Sequence, residues 1–84
     1  MGEIVQLRKT GRTVTLSSEH DGPGPWRTVI TGAPHPGYWY IFNCITQNFK
    51  RIGPVGSQRV NYYELAHQEA RKRNAEHILR KAGG

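Results

Sequence analysis

The sequence predicts an α+β protein: a small antiparallel sheet of four to five strands followed by one long C-terminal helix. Residues 3–60 alternate short β-branched and aromatic runs with loops rich in glycine and proline, a pattern typical of strands joined by tight turns. Residues 61–82 contain neither glycine nor proline and are rich in Ala, Glu, Gln, Lys and Arg, which favours helix. The length of 84 residues leaves room for a single domain, residues 1–84.

The strand-rich part follows from the runs of alternating polarity and the glycine and proline residues between them. Its strongest strand pattern is the aromatic and β-branched run at 38–46. The predicted elements are a hairpin over 4–17, a loop at 18–25, a strand at Trp26–Thr31, a loop at 32–37, a strand at Tyr38–Thr46, a short strand at Phe49–Ile52 and a turn at Gly53–Gly56.

The predicted helix, residues 61–82, carries a marked start. Asn61 is a favourable N-cap, and Glu64 three residues later can complete a capping box. Val60 and Leu65 have the spacing of a hydrophobic staple across that cap. Gly83 supplies a stop, because glycine is the preferred residue just beyond a helix end.

The apolar residues of this helix form two stripes about half a turn apart at 100° per residue. The first contains Tyr63, Ala66 and Ala70, and the second Ala75, Ile78, Leu79 and Ala82. We expect the first stripe to pack on the sheet. The second is either half-exposed on a bent helix or packs on another protein. A small chain gains much from such support, so a homodimer through the distal helix is one expected outcome.

Strand alternation divides the residues at 38–45 between two sheet faces. Trp39, Ile41 and Ile45 share the more aliphatic face, which we expect to lie under the helix. Tyr38, Tyr40 and Phe42 would then stand on an open sheet, where aromatic rings stack on single-stranded bases. Two alternatives stay open: loops or a hairpin cover these aromatic residues, or the faces are reversed.

The formal net charge of +6 is concentrated in the second half of the chain, where residues 50–84 hold eight basic residues against three acidic ones. Such a balance favours nucleic acid or an acidic protein surface as partner. Lys50, Arg51 and Arg59 flank the predicted turn, where exposed backbone N–H groups suit phosphate contact. Arg73 and Arg80, seven residues apart, share a helix face. Alternatively, the helix is a solvated surface with i,i+4 pairs between glutamate and arginine.

Candidate catalytic residues are few. Glu19, His20 and Asp21 form an acid–base cluster in a loop, and Glu64 and His67 have the i,i+3 spacing of metal sites in helical bundles. Neither set is sufficient for a site, and no nucleophile or phosphate-loop motif occurs. The single cysteine, Cys44, is expected to be a small buried hydrophobe. The sequence therefore predicts no catalytic residue, metal or cofactor, and a protein that is not an enzyme.

The favoured hypothesis is a small non-catalytic nucleic-acid-binding module. Its expected contacts are Lys50, Arg51, Arg59, Arg73, Arg80 and Tyr40. The alternative is a protein-binding inhibitor or adaptor encoded by a phage or mobile element, acting on a larger target that can be a nucleoprotein. Its expected contacts are Trp26, His35, Tyr38, Ile78 and Leu79. No apolar run approaches the ~20 residues of a membrane helix, and no leader pattern occurs, so we expect a cytoplasmic protein without membrane contact.

Overall fold

A computed structural model describes residues 3–18 and 21–83 of the chain, with only the backbone described for 81–83. These residues form a five-stranded antiparallel sheet followed by one C-terminal helix, which confirms the predicted α+β class. The strands lie in chain order across the sheet. The elements are β1 (Glu3–Gln6), β2 (Thr13–Leu16), β3 (Trp26–Thr31), β4 (Tyr38–Asn43), β5 (Phe49–Pro54) and α1 (Tyr62–Gly83). The helix found among the described residues is not long and apolar enough to cross a bilayer.

Two strand ends differ from the prediction. β4 ends at Asn43 instead of Thr46, because the Asn43 side-chain oxygen accepts hydrogen bonds from the backbone N–H groups of Ile45 (2.9 Å) and Thr46 (3.0 Å) and starts a turn. β5 continues through Gly53, which pairs with Trp39 instead of beginning a turn. A Cβ at Gly53 would overlap the ring of Tyr62, so glycine allows the start of α1 to lie directly against the strand.

The sheet has an apolar core on each face. On the helix side, Ile41 packs with Ala66 and Ala70, and Trp26 and Ile52 border them. On the other face, a larger cluster is covered by the N-terminal hairpin β1–β2. Its buried members are Val14, Leu16, Val29, Tyr40 and Phe42. The register shift between Thr15 and Leu16 is the kind of irregularity that bends a strand and lets a hairpin fold over its own sheet.

The expected open aromatic face is therefore wrong. Tyr40 is 6% exposed and Phe42 is fully buried, so neither ring can stack on a base. Trp39 and Ile41 do face the helix, as the ring contact between Trp39 and Tyr63 at 4.8 Å shows. Ile45 does not, because it lies in the turn after β4 and is 62% exposed. The physical reason is that both faces of β4 are apolar, so both need a cover.

The start of the helix follows its predicted pattern, whereas its end does not, because the helix includes Gly83, the predicted stop. The Asn61 side-chain oxygen accepts a hydrogen bond from the Glu64 backbone N–H at 3.2 Å, as expected for an N-cap. Ala66 and Ala70 of the first stripe are fully buried. The distal stripe is not covered by the chain's own sheet, since Ile78 and Leu79 are 40% and 70% exposed.

Candidate nucleic-acid interface

Two adjoining depressions lie along α1, the first against the edge strand β5 and the second against the paired residues Trp26 of β3 and Asn43 of β4. We call them together the α1–β5 trough. The first has a volume of about 420 Å³ and the second about 270 Å³. They adjoin where Arg73 Nε of the second donates to Glu69 Oε1 of the first at 2.9 Å. The first is lined by Lys50, Arg51, Ile52, Leu65, Gln68, Glu69 and Lys72, and the second by Trp26, Asn43, Arg73, Glu76, His77 and Arg80.

The two cations of β5, Lys50 and Arg51, lie on opposite faces of the sheet. Consecutive strand residues point to opposite sides of a sheet. Lys50 lies opposite Ile41, on the helix side, where it shares the first depression with Lys72. Arg51 lies opposite Tyr40, and its guanidinium sits 4.9 Å from the ring centroid of Tyr38, although Arg51 also lines the depression.

Of the three cations expected to flank the Gly53–Gly56 turn, Lys50 and Arg51 line the trough and Arg59 does not. Lys50 and Arg51 lie within β5, as the predicted strand at Phe49–Ile52 implies, and the strand continues to Pro54, into the predicted turn. Arg59 is exposed in the connection between β5 and α1 and is not one of the residues that line the trough.

The second depression is built around a stacked arginine. The Arg73 guanidinium lies 4.9 Å from the ring centroid of Trp26, while its Nε donates to Glu69. An arginine on an aromatic face keeps its remaining N–H groups at the ring edge, where they can meet an oxyanion. Arg80 lines the same depression, so the expected common helix face of Arg73 and Arg80 is found. The Glu69–Arg73 pair shows that part of this face also behaves as the solvated alternative predicts.

Trp26 is fixed in place by a buried amide. Asn74 is 1% exposed, and its side chain bonds both backbone groups of Trp26: it accepts from the N–H at 2.8 Å and donates to the carbonyl at 2.9 Å. Asn74 also donates to the Asp21 carbonyl at 2.9 Å. Gly24 lies against this side chain, with a φ of +148° and space for no Cβ. The loop before β3 is thereby fastened to α1, and the Trp26 ring is held where Arg73 reaches it.

A second buried set of polar groups anchors the same loop. Asp21 accepts hydrogen bonds from the Thr28 N–H (3.1 Å) and hydroxyl (3.2 Å), and its other oxygen lies 2.5 Å from His67 Nδ1. All three side chains are fully buried. Arg71 Nε, on the solvent side, is 4.0 Å from the Asp21 carboxylate. This set joins the loop, β3 and α1.

The acid–base candidates accordingly do not form a described site. Glu19 and His20 lie outside the described residues. The Asp21 side chain is buried and accepts a hydrogen bond from the Thr28 N–H. Glu64 is exposed in the first helical turn, whereas His67 faces the core, so the two do not converge. Within 3–18 and 21–83, His, Cys, Asp and Glu nowhere gather in a group of three that could hold a metal ion.

The residues expected to contact a protein partner lie in three separate places. Trp26 belongs to the trough. His35 is exposed in the β3–β4 loop, next to an apolar depression of about 310 Å³ that Tyr38 helps to line. Ile78 and Leu79 lie on the distal helix.

Among the residues that line the trough, sequence reasoning missed the polar side chains of Lys72, Gln68, Asn43 and His77 as contacts. A signal for Lys72 was present, because it lies three residues after Glu69 and four before Glu76, on the same side of the helix. Asn43 carried no such signal, since its position depends on where β4 stops.

No protein-family model, no curated protein and no solved structure matches this chain. The function is therefore argued from the residues alone.

Proposed function

We propose that this protein is a small, non-catalytic nucleic-acid-binding module that holds backbone phosphates along the α1–β5 trough. One observation carries the proposal: cations outnumber carboxylates in this depression. The cations are Lys50, Arg51, Lys72, Arg73 and Arg80, and the carboxylates are Glu69 and Glu76. One of these carboxylates, Glu69, is already paired with Arg73.

The two depressions suit successive phosphates of one strand. Lys50 and Lys72 offer compact ammonium groups in the first, and Arg80 offers a planar fork in the second. Phosphate contacts of this kind position a protein on nucleic acid and do not read its sequence. Trp26 takes the place that Tyr40 was expected to fill, as the aromatic residue beside the cations. Arg51 and Arg59 remain proposed as further phosphate contacts beside the trough.

A protein partner is a second candidate, supported by the apolar depression beside the β3–β4 loop. Ile30, Tyr38 and Val55 line it and are 42%, 39% and 48% exposed. Self-association through the distal stripe is also proposed, because Ile78 and Leu79 present apolar surface that the sheet leaves uncovered. A cytoplasmic location fits either function and stays a prediction.

The test is a salt series. A fluorescently labelled random-sequence oligonucleotide is titrated with the protein at several salt concentrations, and the slope of log K against log salt is measured. Arg80→Gln should reduce the slope by about 0.7–0.9, and the double variant with Lys72→Gln by roughly twice that. Arg12→Gln is the matched control, because Arg12 is an exposed arginine outside the trough.

Two outcomes contradict the proposal. One is a parent protein that does not bind the oligonucleotide even at low salt. The other is Arg12→Gln flattening the slope as much as Arg80→Gln, because binding would then depend on net charge and not on the trough.

A further inference from the structure

A separate cavity lies on the face of the sheet away from α1, between the β1–β2 turn and the β4–β5 turn. Residues 7–10 and 46–49 line it, and we call it the turn pocket. Its volume is about 410 Å³, within the range of roughly 300–1,000 Å³ that small-molecule sites occupy. Leu7 and Phe49 provide its apolar part.

The turn pocket is preformed, because the two turns are bonded to each other. The Gln47 side-chain amide accepts from the Arg8 N–H at 2.8 Å and donates to the Gln6 carbonyl at 3.3 Å. The Arg8 guanidinium donates to the Ile45 carbonyl at 2.7 Å. Gln47 has a φ of +60°, a left-handed conformation that is costly for a residue other than glycine and that is concentrated at ligand sites.

The pocket combines an aromatic surface with cations and polar groups. Phe49 is half-buried, packs against Phe42 with ring centroids 4.9 Å apart, and also lines the pocket. Two cations, Arg8 and Lys9, line the pocket, and none of its lining residues is acidic. The Arg8 guanidinium is held at the Ile45 carbonyl, whereas Lys9 is an exposed ammonium at the pocket that can meet an anionic ligand.

We propose that the turn pocket binds one unstacked nucleobase, with the attached phosphate on Lys9. This rests on the proposed nucleic-acid function and makes it specific for single strands, since a paired base inside a duplex cannot enter a pocket. The Phe49 ring supplies a surface for the base, and the exposed Thr10 and Asn48 supply hydrogen-bonding groups for its edge. Lys50 follows Phe49 directly and lines the trough, so one strand can pass from the pocket to the trough across the start of β5.

The test uses mononucleotides, because they contact the pocket without needing the trough. Uridine and adenosine monophosphate are titrated into the labelled protein, and backbone amide shifts are followed by NMR. Inorganic phosphate is titrated separately. We expect saturable binding, with a Kd on the order of 0.1–5 mM, and shifts concentrated at residues 7–10 and 46–49. Phosphate alone should not reproduce these shifts.

Variants then separate the base from the phosphate. Asn48→Trp places a bulky ring in the pocket from an exposed position and should weaken nucleotide binding at least tenfold. Gln58→Trp is the matched control, exposed in the β5–α1 connection, and should bind within twofold of the parent. Lys9→Gln should weaken the monophosphate several-fold and leave adenosine unchanged. Thr10→Trp blocks the pocket from the other turn, so the test survives if one tryptophan variant fails to fold.

The outcomes distinguish this inference from the proposed function. Nucleotides that cause no shifts at the two turns, or that bind Asn48→Trp and Thr10→Trp as tightly as the parent, overturn the turn pocket even if oligonucleotides bind the trough. Nucleotides that fill the pocket of a protein unable to bind oligonucleotides overturn the trough alone. Identical shifts from inorganic phosphate would show an anion site without base recognition and would also overturn the inference.

Discussion

Replacing Asn74 by alanine should be among the most damaging single changes in this protein. The Asn74 side chain makes three hydrogen bonds, to the Trp26 N–H, the Trp26 carbonyl and the Asp21 carbonyl, at 2.8–2.9 Å. Alanine would remove all three and leave the backbone groups of the 21–26 loop without these partners. Because Asn74 is 1% exposed, water cannot easily replace the lost amide.

The magnitude follows from the cost of burying an unpaired polar group, about 1–3 kcal/mol each. Taking the lower bound for each of the three bonds gives a loss of about 3 kcal/mol. Alanine is the better helix former by a few tenths of a kcal/mol, which offsets only a small part. A domain of 84 residues has a free energy of unfolding of about 4–13 kcal/mol, so the change removes a large share of it.

Thermal unfolding followed by circular dichroism measures this effect. At roughly 4–8 °C per kcal/mol, the Asn74→Ala variant should melt about 12–24 °C below the parent. Gln68→Ala is the matched control: it removes an amide from an exposed position of the same helix and should change stability by no more than about 0.5 kcal/mol. If Asn74→Ala melted within about 2 °C of the parent, or if Gln68→Ala lost as much, the argument that this amide fastens the loop to α1 would be refuted.

Three further predictions concern separate parts of the chain. Asn61→Ala removes the helix cap and should cost about 0.5–2 kcal/mol in a urea titration; an unchanged midpoint would mean that the bond to Glu64 adds no stability. Burial raises the pKa of the Cys44 thiol, as does the charge of Glu3, while Arg27 lowers it; iodoacetamide should therefore label the native protein at neutral pH more slowly than the urea-unfolded chain, and equal rates would contradict this. Replacing Ile78 and Leu79 by glutamate should convert a parent that sediments as a dimer at high concentration into a folded monomer, and a monomeric parent would exclude self-association.

Several features follow from the sequence alone because their causes are local. The helix at the C-terminus depends on composition and on a cap formed within four residues, so its start at Tyr62 after Asn61 was predictable. The strand at Trp26–Thr31 was predicted with its observed bounds, since β-branched residues between rigid loops leave few alternatives. The burial of Ala66 and Ala70 against the sheet follows from helical periodicity.

Other features depend on contacts between distant parts of the chain. Alternation shows that Tyr40 and Phe42 share a face, but not that the β1–β2 hairpin folds over it. The end of β4 depends on a side-chain bond of Asn43 that competes with strand pairing.

The candidate sites also combine features that the sequence shows with features that depend on contacts between distant residues. The excess of basic residues after position 49 is a property of the sequence, and so is the helix stripe that holds Arg73 and Arg80. Only the tertiary structure places Trp26 under Arg73, because the Asn74 amide that holds Trp26 lies 48 residues away in the chain. The turn pocket likewise joins residues separated by 39 positions, through the bond between Arg8 and Gln47. Hydrogen bonds and ring contacts of this kind act over a few ångströms, so their partners are set by how the chain folds and not by spacing along it.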